Sequence, residues 1–276
     1  MARLIDTVHL GYDRVIGAYE IDGTIVDPGP AVSLGAFEGI EPEALLLTHI
    51  HLDHAGGTGV LVRRFPDLKV YVHERGARHL IDPSRLLRSA GMLYGEHMDL
   101  LWGEVAPVPE ANIVPLSGGE TVRDRFYFEY TPGHASHHGC YLDTEDGTAY
   151  VGDVAGVRVP PTDHTIAPTP PPDIDIELWL AAIDVVEGWS PSRLALTHFG
   201  FVDDAPAGLE RAREALRRQL RWAEAGPEEF AARYAEHNRA ALDGEEAVRL
   251  EQAAPSEQLR AGIERYLRKR AEAATA

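Results

Sequence analysis

Cysteine is nearly absent from the chain of 276 residues: Cys140 stands alone, which excludes an internal disulfide and suits a reducing compartment. Its setting, Gly139-Cys140-Tyr141-Leu142, reads as a strand, so the thiol is expected in the core. Long apolar runs are missing as well. No stretch approaches the ~20 residues that cross a bilayer. Asp6 closes the N-terminal run Met1-Ala2-Arg3-Leu4-Ile5 where a secretion signal needs an apolar core. The expectation is a cytoplasmic protein with no membrane partner. Positive charge is scarce: 26 Lys and Arg face 44 Asp and Glu, a formal net charge of −18. Phosphate backbones are bound through Lys and Arg clusters, so nucleic acid is not the expected partner. A small anionic substrate remains compatible, because bound cations dominate the local field. Internal repeats are lacking too. What remains, 44% hydrophobic and 25% charged residues, suits a globular chain of one large domain, or one domain with an appendage.

Leu45-Leu46-Leu47 reads as a buried strand, followed by Thr48-His49-Ile50-His51-Leu52-Asp53-His54 and closed by Gly56-Gly57. In extended chain, side chains two apart share a face, so His49 and His51 aim at one spot. A turn after Leu52 lets Asp53 and His54 face a second. Imidazole and carboxylate suit zinc, iron or manganese, and a solvated loop has no need of four such groups in six residues. Three more short apolar strands each deliver one such group at their C-terminal end. Phe126–Tyr130 leads through Thr131-Pro132-Gly133 to His134, Ala149–Gly152 leads to Asp153, and Leu194–Thr197 leads to His198. Four strands ending this way predict one rim of a sheet where all the ligands converge.

His-x-His-x-Asp-His, Thr-Pro-Gly-His, Gly-Asp and a late Thr-His, in that order, resemble the metallo-β-lactamase fold superfamily over roughly Val15 to Phe199. The resemblance implies an α/β chain folded as a four-layer αββα sandwich. It also implies two divalent ions, zinc in the first place and iron or manganese as alternatives. It assigns His49, His51 and His134 to one ion, Asp53, His54 and His198 to the other, and Asp153 to the bridge between them. Two cations ~3.5–4 Å apart repel each other, which a shared carboxylate and a bridging hydroxide offset. Coordination brings the pKa of water to ~7, so no serine or cysteine nucleophile is required. Asp53 then doubles as the catalytic group that holds the nucleophile's proton or assists the leaving group.

Within the superfamily, Asp153 stands where many zinc β-lactamases carry another ligand, often cysteine. His51 stands where the flavodiiron reductases carry glutamate. The pattern is most similar to glyoxalase II-like thioesterases and lactonases, although the basic glutathione-binding residues of glyoxalase II find no clear match. The expected activity is hydrolysis of a small-molecule ester, thioester or lactone. Two other chemistries stay open: a mononuclear iron oxygenase resembling the persulfide dioxygenases, and phosphodiester hydrolysis. A metal-stabilised scaffold without enzymatic activity is the remaining reading.

The rest of the chain is read around this rim. Val15–Ile21 and Gly23–Val26 predict a hairpin at Asp22-Gly23. Asp27 follows, either supporting the metal loops or serving as a plain turn residue. Thr58–Phe65 predicts a helix and Lys69–His73 a strand, with His73 structural and His79 structural in the next helix. The helical stretch from Asp82 to Trp102 carries no ligand and is expected to wall a substrate pocket. Tyr94 is its candidate substrate contact, with Met92 and His97 nearby in sequence. His138 bonds a metal ligand, contacts substrate or caps the loop, while His137 reads as a cap or surface position. Pro160 to Pro172 holds six prolines and is either a substrate wall presenting His164 or a rigid crossover. Asp173 or Asp175 caps the helix bearing Ile176, Leu180, Ile183 and Val186. Two units are expected: a catalytic domain over 1–204 and a helical C-terminal extension over 205–276 packed on it. The extension either shapes the cleft or joins two copies as a homodimer.

Overall fold

Short, nearly all-apolar strands need cover on both faces, and the computed structural model, which describes residues 1–275, provides it with two stacked sheets. The first runs in the order β1 (Arg3–Asp6), β2 (Gly17–Ile21), β3 (Thr24–Val26), β4 (Ala44–Leu46), β5 (Lys69–His73) and β6 (Ile113–Leu116). Its pairs are antiparallel as far as β3 and parallel from there on. The expected hairpin forms between β2 and β3. Asp22 and Gly23 both take positive φ, 46° and 78°, as a two-residue type I′ turn requires. Helices fill the parallel crossovers: α1 (Leu52–Ala55) and α2 (Thr58–Arg64) after β4, then α3 (Glu74–Ile81), α4 (Ser84–Tyr94) and α5 (Met98–Leu101) after β5.

The second sheet contains β7 (Thr121–Val122), β8 (Phe126–Tyr130), β9 (Gly139–Asp143) and β10 (Thr148–Gly152). A small ribbon of β11 (Val157–Arg158) and β12 (Thr165–Ile166) follows, and then α6 (Ile176–Gly188). The chain returns through β13 (Arg193–Leu196), parallel to β10, and ends the sheet with β14 (Gly200–Val202). Four helices close it: α7 (Ala205–Glu224), α8 (Pro227–Ala241), α9 (Gly244–Ala253) and α10 (Ser256–Thr275).

Period-two alternation sorts the strands' side chains into layers. Tyr19, Val26 and Leu46 meet Phe128, Tyr141 and Tyr150 between the sheets. On the outer face of the first sheet, Leu45, Val70 and Val72 lie under Leu61, Val62 and Leu80. On the outer face of the second, Val151, Leu194 and Leu196 lie under Trp179, Ile183 and Leu216. The molecule is thus the four-layer αββα sandwich. Asp175, not Asp173, caps α6, accepting from Leu178 N–H at 3.0 Å, and Asp173 instead accepts from the Ser136 hydroxyl at 2.7 Å.

α7 starts at the expected boundary, but its Leu209, Ala212 and Leu216 belong to the outer core of the second sheet. It therefore completes the fourth layer. The later helices build their own cluster: Phe230, Tyr234, Leu250, Leu259 and Ile263 pack onto Val157 and Ile166 of the ribbon. Gly262 lets α10 press against the Thr169 carbonyl, where a Cβ would overlap it. The helical end is thereby clamped to the proline loop. Among the described residues no helix is long and apolar enough to cross a membrane.

Candidate metal centre

The C-terminal ends of β4, β10 and β13, together with the loop after β8, open on one edge of the sandwich. After β4 the chain stays extended through His51 (φ −60°, ψ 151°) and then enters α1, which swings Asp53 and His54 to one side of the first two histidines. The structure gathers the seven side chains into two groups: His49, His51, His134 and Asp153, then Asp53, His54 and His198, the donor atoms within each lying within 4.8 Å of one another. In the first group, His51 Nδ1 lies 3.0 Å from both His49 Nε2 and His134 Nε2. A tetrahedral site with bonds of about 2.0 Å has nitrogen–nitrogen edges of about 3.3 Å, so three lone pairs meet here at near-coordination spacing. In the second group, Asp53 Oδ2 lies 3.2 Å from His198 Nε2 and 3.8 Å from His54 Nε2. Asp153 spans both: Oδ2 is 3.1 Å from His134 Nε2, and Oδ1 is 3.2 Å from His54 Nε2.

The outer contacts show which nitrogen each ring leaves free. His54 Nδ1 donates to Asp27 Oδ2 at 2.8 Å, His198 Nδ1 to the Val15 carbonyl at 2.6 Å and His134 Nδ1 to the Pro168 carbonyl at 2.9 Å. A histidine that gives its Nδ1 proton to such an acceptor presents an Nε2 lone pair on its other edge. Those inward atoms are left over: His54 Nε2, His198 Nε2 and Asp153 Oδ1 are buried and have no hydrogen-bond partner. Buried polar groups are ordinarily satisfied. Orphaned lone pairs facing carboxylates fit divalent cations, and zinc, iron and manganese all accept this set of nitrogen and oxygen donors.

Asp27 does support the loops. Wholly buried, it accepts from Thr48 N–H at Oδ1 (2.8 Å), while Oδ2 gathers Thr48 Oγ1 (2.7 Å), His54 Nδ1 and Thr197 Oγ1 (2.9 Å). One carboxylate thus pins the segments after β3, β4 and β13 together. Before Asp153, Gly152 has φ 47°, and a Cβ there would lie 2.5 Å from Thr48 Oγ1 and 2.7 Å from His138 Nε2. The Gly-Asp pair therefore needs its glycine.

The metal-free site holds its protons unevenly. Burial keeps His49 well below the ordinary imidazole range and brings His51 down to about 4. Burial also opposes charge on His54 and His198, but carboxylates outweigh it: Asp153, Asp53 and Asp27 raise His54, and Asp53 and Asp153 raise His198. A raised value favours the protonated ring, and a cation must displace that proton. Zinc affinity is therefore expected to climb as pH rises through those values. Calorimetry in buffers of different ionisation heat would show protons released on zinc binding at mildly acidic pH; zero release would contradict this.

A cavity of about 510 Å³ opens beside these groups, with His51, Asp53, His134, Asp153 and His198 in its wall. Tyr94 lines it, held edge-to-face against Trp102, whereas Met92 is 83% exposed and points away with His97. Two candidates for substrate contact lie elsewhere. His164 is drawn off by the ribbon: its Nε2 meets Asn238 Oδ1 at 2.8 Å and its ring packs on His237 of α8. Only the later prolines, Pro168 and Pro170 to Pro172, reach the cavity. His138 is fully buried behind the centre, its Nε2 accepting from Asp153 N–H at 3.3 Å. It sets the Asp153 loop and does not contact the cavity.

Other cavity residues escaped the sequence analysis. His79, read as structural, lines the wall, and so does His137, whose ring lies 5.6 Å from that of His51. Arg75, Arg78, Arg85 and His9 were not candidates at all. The three arginines lie on α3 and α4, whose inward face depends on packing. The α9–α10 junction also contributes, through Ala254, Pro255 and Leu259. The helical extension therefore shapes the cleft.

A sandwich with imidazole and carboxylate groups convergent at one edge defines the metallo-β-lactamase fold. The model of the metallo-beta-lactamase superfamily matches residues 19–198, and the chain belongs to that superfamily. A hydroxyacylglutathione hydrolase of Hamiltonella defensa is 47% identical over 64 residues, 21% of this chain and 26% of that protein. The chain matches about a quarter to two-fifths of the length of its curated relatives, 26% and 37% in two of them. Among solved structures, a metallo-beta-lactamase family protein of Thermus thermophilus superposes with a TM-score of 0.66 at 22% identity, covering 98% of this chain and 94% of that one. An archaeal superfamily protein of Sulfolobus tokodaii gives 0.67 at 24% identity, over 79% and 86%.

Proposed function

We propose that this chain hydrolyses small esters, thioesters or lactones, using two divalent cations, zinc foremost, held by His49, His51, Asp53, His54, His134, Asp153 and His198. The observation that carries the reading is the split of the Asp153 carboxylate, one oxygen beside each imidazole group. Such cations would supply a water with a pKa near ~7 and a Lewis acid that polarises the scissile carbonyl. The chain's own residues do the rest. Asp53 faces the cavity with its side chain 24% exposed, and His54 and His198 hold it ionised against the opposing effect of burial. It can take the attacking water's proton and pass it to the leaving group. Leu52, Trp102 and Pro168 form an apolar part of the cavity wall. The name of the curated relatives, hydroxyacylglutathione hydrolase, fits this substrate class. The test is elemental analysis with a panel of esters, thioesters, lactones, phosphodiesters and thiols. Two metal equivalents with ester or thioester turnover support the reading; one iron with oxygen uptake, or phosphodiester turnover alone, overturns it.

In a chain of net charge −18, the wall formed by Arg75, Arg78, His79 and Arg85 favours a substrate with an anionic group away from the scissile bond. Exposed charge pairs are worth up to about 1 kcal/mol each and weaken with salt. Arg78→Ala with Arg85→Ala is therefore expected to raise KM about tenfold for a thioester of an anionic thiol relative to a neutral one. Steady-state kinetics at low and high salt would show the gap closing; equal KM changes for both substrates would remove the wall from recognition.

A further inference from the structure

The connection between β1 and β2 folds against the usual preference. Val8 is 50% exposed and Leu10 36%, while His9 between them is 3% exposed. Two apolar side chains stand in water so that one imidazole can turn inward. The backbone is strained to do so: Val8 has φ 46°, Leu10 φ 52° and Arg14 φ 60°. For a β-branched residue such as Val8 that conformation is an outlier, and such strain gathers at functional sites. Packing alone gives no reason for the arrangement, since turning the segment over would bury valine and leucine and solvate the histidine.

The imidazole is held firmly. Its Nδ1 meets Ser33 Oγ at 3.3 Å, and its ring stacks on Trp102 with centroids 5.7 Å apart and planes 12° apart. His9 borders the same cavity as Asp53 and His198. Its Nε2 has no hydrogen-bond partner among the described residues and is not among the fully buried orphan atoms, so it keeps some access to solvent, and His9 lines the cavity. In the tautomer that lets the Ser33 hydroxyl donate to Nδ1, the ring proton lies on Nε2, and a neutral imidazole offers one donor to a bound molecule.

We propose that His9 is a catalytic residue of the hydrolytic site, its Nε2–H donating a hydrogen bond to the departing oxygen or sulfur of the substrate on the Asp53 and His198 side. This rests on the hydrolase reading. The water's oxygen joins the acyl carbon, the carbon–oxygen or carbon–sulfur bond breaks, and the leaving atom takes the water's proton by way of Asp53. His9 keeps its own proton and stabilises the charge that builds on the leaving atom.

The test is a series of esters of one acid with alcohols of increasing pKa, hydrolysed by the metal-loaded protein and by His9→Phe, His9→Gln and Ser33→Ala. A poorer leaving group carries more charge at the transition state. The expected loss in His9→Phe is therefore about tenfold for activated aryl esters and on the order of 10²-fold for alkyl esters. His9→Gln recovers part of it, because an amide also donates. Metal content stays at the parent value, and calorimetry shows weaker binding of an unreactive ether analogue of the ester. A uniform loss along the series, or none, overturns the role of His9. If His9→Phe does not fold, His9→Gln and Ser33→Ala must still steepen the leaving-group dependence, and a parallel line overturns the proposal. A fully loaded parent that hydrolyses nothing overturns the hydrolase reading itself, and this role with it.

Discussion

Asp153→Ala is expected to lower kcat/KM by on the order of 10³-fold and, on the proposed two-cation reading, to leave about one bound cation in place of two. The carboxylate is placed between His134 Nε2 at 3.1 Å and His54 Nε2 at 3.2 Å, so its loss removes an oxygen from each imidazole group at once. It also removes one of the two carboxylates in these groups among the described residues, Asp53 being the other, that would face four positive charges with two divalent ions bound. Cation stabilisation of a transition state is worth several kcal/mol, which sets the scale of the loss. The fold is expected to survive, because Asp153 Oδ1 has no hydrogen-bond partner and His138 holds the residue through its backbone N–H. Elemental analysis, kinetics and circular dichroism on one preparation check all three points. Full metal loading with parent-like turnover would place the working carboxylate elsewhere.

The second large effect is expected from a residue that touches no cation. Asp27→Ala should reduce metal affinity about 10–100-fold, the usual consequence of losing the acceptor behind a ligating histidine. It should also destabilise the metal-free chain by about 3–5 kcal/mol. Removing the carboxylate strands His54 Nδ1–H, Thr48 N–H and the hydroxyls of Thr48 and Thr197, all buried. A buried group left without a partner costs about 1–3 kcal/mol. Chelator competition reads the first effect and urea denaturation the second. If stability fell while affinity stayed put, Asp27 would be a brace for the loops and nothing more.

Legibility followed the range of the physics. The hairpin at Asp22-Gly23 was readable because a two-residue turn needs positive φ at both positions, a demand met inside two residues. The seven convergent groups were readable because they follow four apolar strands, four of them after β4 and one each after β8, β10 and β13, and strand ends in such a sandwich share an edge. His164 was misplaced as a substrate contact, and His138 takes the first of the roles left open for it, the bond to a metal ligand, for a common reason. Whether a histidine faces a cavity or a neighbour depends on what packs behind it: Asn238 on α8 for His164, and the Asp153 backbone for His138. His79, Arg78 and Arg85 show the converse, since nothing local tells which face of α3 or α4 borders the cavity. His9 was the hardest to see, because its inward turn reverses the hydrophobic preference that sequence reasoning relies on.

The sequence by itself determined the rim of histidines and aspartates and the helical character of the chain beyond residue 204, and the resemblance carried by its motifs implied the sandwich class. The rim and the helices follow from short-range rules: side-chain period and the donor chemistry of imidazole and carboxylate. Only the tertiary structure decided that Asp27 ties three loops together and that α4 and the α9–α10 junction wall the cavity with arginines on one side. Those facts depend on contacts between residues as many as 170 positions apart, as Thr197 is from Asp27. Contacts at that range arise from the packing of whole layers and leave no periodic trace in the chain.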